Sequence, residues 1–234
     1  MGIETREKIH YFAIFAFAGL KRAERISRPE LPAMRRILFA LVPLISAAQT
    51  PLSEKEAALG RQMVVEVRRT STPVKIPEVQ SYVSQLGARL APGFVFEVVS
   101  MDATEPIVLP GRYVFVPLSL LTAANDEAEF AGMLAQAVAR GPRRWAGLAP
   151  QQQRGSEITA DSAAARTMSQ AGFDPAALLR CIERLHPDDE SRIAALRETI
   201  RAIPRGDWKV SDRFSEVQAL VRPKPRTPPS LFNK

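Results

Sequence analysis

Residues Asn125–Ala139 read N-D-E-A-E-F-A-G-M-L-A-Q-A-V-A, and Arg140-Gly141-Pro142 follow. Asn125 is a cap candidate, and Asp126, Glu127 and Glu129 put negative charge at the positive end of a helix dipole. The alanine-rich remainder is then a helix that carries Gln136 and Arg140 one turn apart, on one face. Proline disfavours helix in the residue before it, so Gly141-Pro142 predicts a stop immediately after Arg140.

Upstream, Ser53 and Glu56 form a capping-box pattern that opens a helix to about Arg69, with Leu59, Met63 and Val67 at helical spacing. Pro77 suits a first helical position, and Val79, Val83, Leu86 and Leu90 line one face of a second helix. Phe94–Ser100 is rich in β-formers. Ile107–Leu109 and Tyr113–Val116 predict a hairpin that turns at Pro110-Gly111. This small sheet is expected beside the helix that follows Asn125. Downstream, helices are predicted from about Glu157 to Gln170, after Asp174-Pro175, and from an Asp188 or Asp189 cap to about Ala202. The class is α+β and mostly helical, with about five to six helices and a small β-sheet.

The stretch Leu134-Ala135-Gln136-Ala137-Val138-Ala139-Arg140 resembles the active-site helix of metallopeptidase family forty-eight, the HtpX and CAAX-protease type of gluzincin. That helix reads L-A-H-E-x-x-H, with two histidines as zinc ligands and a glutamate as general base. Here Gln136 stands for the first histidine, Ala137 for the base and Arg140 for the second histidine. Further segments in the same order strengthen the resemblance: Leu52–Met63, Ile76–Leu90, V-L-P-G-R-Y-V-F-V at Val108–Val116, S-E-I-T-A-D at Ser156–Asp161, and A-G-F-D-P at Ala171–Pro175. His186-Pro187 and Arg192-Ile193 resemble the H-P and R-I pairs near the family's C-terminal end. The resemblance spans roughly residues 52–200 and implies a gluzincin-like core. It makes Glu157 the third zinc ligand, Asp161 the carboxylate that orients a ligand histidine, and His186 a remnant near the metal. The long segment that relatives insert before the third ligand is replaced by a short glutamine-rich loop.

In such sites zinc lowers the pKa of its bound water to about 7, and the glutamate takes the proton as the water attacks the carbonyl. Gln136 is a weak neutral ligand, Ala137 accepts no proton, and Arg140 repels a divalent cation. The expectation is therefore a peptidase-like protein with no catalytic residues and no metal or other cofactor, although zinc serves its relatives. It would hold a peptide or protein ligand in the former cleft. Two alternatives are an active metallopeptidase with a non-standard site built from Glu157, His186, Asp161 and Gln136, and a structural envelope protein. With no metal, Glu157 needs a positive partner, and Arg140 is the expected one, joining two helices. Cys181 is five residues from His186, poor geometry for a nucleophilic dyad, and is expected in the core. Trp145 is a candidate binding anchor or half-buried packing residue in the shortened loop.

The chain has 234 residues and a net charge of +7. The excess is at the ends. Residues 1–36 hold 8 Lys/Arg against 4 Asp/Glu and residues 201–234 hold 8 against 3, leaving 16 against 18 between them. With no recognition motif for nucleic acid, none is expected as a partner. Met34-Arg35-Arg36 and the apolar run Ile37–Ala48 have the layout of a secretory signal, too short for a comfortable membrane span. Residues 1–33 are then an N-terminal extension, and 34–49 a signal peptide or membrane anchor. A peptidase-like domain at 50–203 and a short helical extension at 204–221 follow, before a basic proline-rich tail at 222–234. A periplasmic or secreted location is expected, with membrane attachment only through the N-terminal apolar segment as the alternative. Cys181, the single cysteine, excludes an internal disulfide.

Overall fold

The computed structural model describes residues 52–144, 150–208 and 211–222. The expected N-terminal extension and signal segment, Trp145 and the proline-rich stretch beyond Arg222 lie outside the described residues. Helix α1 (Glu54–Thr70) opens with the expected box: Ser53 Oγ accepts from the Glu56 backbone, and Glu56 accepts from the Ser53 backbone. Its inner face is Gly60, Met63, Val64 and Val67, whereas Leu59 is exposed. A Cβ on Gly60 would lie 2.1 Å from the Pro110 carbonyl oxygen, so only glycine lets α1 approach the hairpin turn this closely. Helix α2 (Pro77–Leu90) starts on its proline and buries Val79, Val83, Leu86 and Leu90.

The sheet comprises β1 (Thr72–Pro73), β2 (Val95–Ser100), β3 (Ile107–Leu109) and β4 (Tyr113–Pro117), in the order β1-β2-β4-β3. β3 and β4 form the expected antiparallel hairpin, while β2 runs parallel to β4. Among the described residues β3 is thus the outermost strand. Short α3 (Leu118–Ala123) leads to α4 (Glu127–Arg144), whose Phe130, Ala131 and Leu134 are fully buried. α5 (Pro150–Gln170), α6 (Ala176–Leu185) and α2 pack around α4, and β3 lies against it. α7 (Glu190–Ala202) packs on α5 and α6, with Asp189 as its cap. α8 (Arg213–Val221) joins the core: Phe214 stacks near Tyr82 and Phe130, and Gln218 donates to the carbonyls of Leu121 and Ala124. Eight helices among the described residues and one small sheet make the α+β, mostly helical class plain. No helix among the described residues is long and apolar enough to cross a membrane.

Three local expectations need correction. α4 continues through Gly141-Pro142 to Arg144. Part of the clash that a proline imposes falls on the preceding Cβ, which Gly141 lacks. The same absence lets α4 pass β3, because a Cβ on Gly141 would lie 2.8 Å from Val108 Cβ. The cap of α4 is Asp126, not Asn125: Asp126 Oδ1 accepts from the Glu129 backbone at 2.7 Å. α5 begins at Pro150 rather than near Glu157, with a proline where its missing N–H costs nothing.

Candidate functional site

Gln136 and Arg140 sit one turn apart on α4, facing Glu157 and Asp161 one turn apart on α5. The spacing puts each pair on one face of its helix, and the packing of α4 on α5 brings the four side chains together. Arg140 Nε lies 3.1 Å from Glu157 Oε2, so the two helices meet through the ion pair expected of them. The approach angle is not that of a hydrogen bond, and both atoms are sealed from water without one. Arg140 Nη1 also reaches Glu105 Oε2 at 3.3 Å, in the connection between β2 and β3.

The sequence reading missed the main cation of the site. Arg192, on the first turn of α7, is 5% exposed and grips Asp161, itself 1% exposed. Its Nε donates to Asp161 Oδ2 at 2.5 Å and its Nη2 to Oδ1 at 3.1 Å. This is the bidentate geometry for which arginine is suited. Burial works to lower the Arg192 pKa, but the hydrogen bonds and charge of Asp161 outweigh it, so the guanidinium stays charged. Arg192 Nη2 also stands 3.5 Å from Glu157 Oε2, which places that oxygen between two guanidinium groups. Gln136 Nε2 donates to Asp161 Oδ1 at 2.5 Å and completes the cluster. One signal for Arg192 was available in the sequence: it shares a helical stripe with Leu196 and Ile200, where a charge has to be buried and matched.

A cavity of about 570 Å³ opens beside this cluster, lined on one side by Ala103–Val108 and on the other by α4 and α6. Gln136, Ala137 and Arg140 line it from α4, Cys181 from α6, and His186 from the cap that follows α6. His186 is an exposed residue at the C-terminal end of α6, where its backbone N–H donates to the Ile182 carbonyl. It shares the cavity but takes no part in the arginine–carboxylate cluster. Cys181 is buried in the core, and burial, followed by the nearby Glu129 charge, pushes its thiol pKa up. A neutral thiol is a poor nucleophile.

These residues do not suit a zinc ion. The Gln136 amide is turned onto Asp161, and the cationic Arg140 and Arg192 flank Glu157. Among the described residues no three His, Cys, Asp or Glu side chains converge as a metal-holding group.

α4 thus crosses a small sheet, with a cavity between them and a partner helix bearing E-x-x-x-D at Glu157–Asp161. Residues 98–200 match the model of peptidase family M48. No curated protein matches the chain.

Proposed function

We propose that this protein is an exported member of the peptidase class that no longer hydrolyses peptides and instead holds a peptide or protein segment in the cavity beside α4. The observation that carries this reading is the Arg140–Glu157–Arg192–Asp161 cluster, in which guanidinium charge stands where relatives need a divalent cation. Without zinc or a residue in place of the base, water is not activated. The cavity remains: Ile107 and Val108 of β3 contribute to its wall, opposite α4 and α6. Gln136, Ala137 and Arg140 are thus non-catalytic replacements, and Glu157, Asp161 and His186 are remnants of the older site. Export rests on the basic start at Met34–Arg36 and the short apolar run after it, with cleavage near Ala47–Gln49.

Two assays on the purified chain test the proposal. Incubation with unfolded casein, with and without added zinc, is expected to give no cleavage products. Titration with short capped apolar peptides is expected to shift backbone NMR signals along β3 and α4. Chelator-sensitive cleavage would overturn the inactive reading, and failure of every peptide to shift those signals would leave a structural role in its place.

A further inference from the structure

We infer that Gln136, besides replacing a histidine, reads the ligand: its Oε1 accepts a backbone N–H from the peptide segment in the cavity. The inference rests on the proposal that the cavity holds a peptide and adds which atom recognises it.

The orientation of the amide is fixed by chemistry. Gln136 is 8% exposed and points one end at Asp161, a carboxylate, which accepts hydrogen bonds and offers none. The end facing Asp161 must therefore be the Nε2 donor, since the reverse orientation would press two oxygens together. Asp161 is in turn clamped by Arg192 through both carboxylate oxygens, so the amide is held from behind by two buried groups. Its other end is then the acceptor. No described residue donates to Gln136 Oε1, yet that oxygen is not among the polar atoms sealed off without a partner. Gln136 lines the cavity, and the cavity is where a donor can reach it.

The neighbouring groups narrow the ligand further. Arg140 already faces Glu105 and Glu157, so its charge is matched and asks for no ligand carboxylate. Val108, Leu120, Met133 and Ile182 supply an apolar wall. The matching ligand is an uncharged, apolar stretch of extended chain with one N–H directed at α4.

The probe is the capped peptide acetyl-Leu-Leu-Leu-amide, with analogues in which one backbone N–H at a time becomes an ester oxygen. Binding to the full chain is followed by NMR, including the side-chain amide resonances of Gln136. In the wild type, one ester position is expected to weaken binding roughly three- to tenfold, the scale of one net hydrogen bond. The Gln136 resonances should move with the parent peptide and less with that ester. Gln136→Met, which keeps the length but loses the acceptor, should bind that ester and the parent equally. Met133→Ala should weaken the parent and all esters alike. Equal binding of every ester to the wild type, or an unchanged ester preference in Gln136→Met, overturns the inference and leaves peptide holding intact. Absence of any binding by the parent peptide overturns the peptide-holding proposal and the inference with it. Should Gln136→Met fail to fold, the wild-type ester scan read at the Gln136 resonances still decides.

Discussion

The two ends of α4 solve the same problem differently. Near its start, Glu129 is 2% exposed yet fully answered: the Asn125 backbone and side chain donate to it, and Arg184 on α6 binds it at 3.0 and 2.9 Å. Near its end, Asp161 is answered equally well, but Glu157 Oε2 lies between Arg140 and Arg192 with no hydrogen bond to either. The first arrangement is a closed clamp in the core. The second borders a cavity and keeps polar atoms that the protein itself does not satisfy. A strained ion pair beside a cavity is what the proposed loss of a metal from this site would leave behind.

The comparison is broken or sharpened by substitution, beginning with the deepest pair. Arg192→Met leaves Asp161 buried with a charge and only Gln136 as partner. Loss of one member of a buried pair costs about 3–5 kcal/mol, and chemical denaturation should find Arg192→Met in that range or unfolded. A loss below about 1 kcal/mol would mean that the Asp161 cluster does not hold α5 and α7 together. Arg184→Ala removes the partner of Glu129, but Arg184 is 42% exposed and water can enter in its place. The expected loss is smaller, about 2 kcal/mol, once that solvent access is allowed for. At the cavity end, Arg140→Ala should cost about 1–2 kcal/mol, against less than about 0.5 for the surface control Arg69→Ala. Equal effects of the two would show that Arg140 does not join α4 to α5.

Acid distinguishes the ends as well. Burial tends to raise the Glu129 pKa, but the hydrogen bonds from Arg184 and Asn125 prevail and hold it below its ordinary value of 4.5. A carboxyl lowered on folding contributes stability that is complete above its unfolded pKa and is lost as pH falls through the folded one. Wild-type stability should therefore decline below about pH 4.5, and Glu129→Gln should be less stable at neutral pH and show a flatter acid limb. Parallel acid limbs in equilibrium unfolding would deny Glu129 that role.

Much of this fold was legible because its signals are local. The Ser53–Glu56 box, the apolar face of α2, the Pro110-Gly111 hairpin and the Asp189 cap each depend on residues a few positions apart. What escaped was long-range. The parallel pairing of β2 with β4 and the packing of α8 through Phe214 are decided by distant neighbours. In the site, i,i+4 spacing put Gln136 with Arg140, and Glu157 with Asp161, on one face of their own helices, and the family resemblance brought the two pairs together. The partners from other elements, Glu105 and Arg192, carry no spacing signal towards Arg140 or Asp161; Arg192 was marked only by the family-like Arg192-Ile193 pair and by its charge on an apolar helical stripe.

The most direct test of the central claim is the zinc content of the purified full chain after incubation with excess zinc and removal of the unbound ion. The account predicts far less than one zinc per chain, with no change in thermal midpoint on adding zinc, because two guanidinium groups already flank Glu157. One tightly held zinc per chain, displaced when Glu157 is changed to alanine, would contradict it.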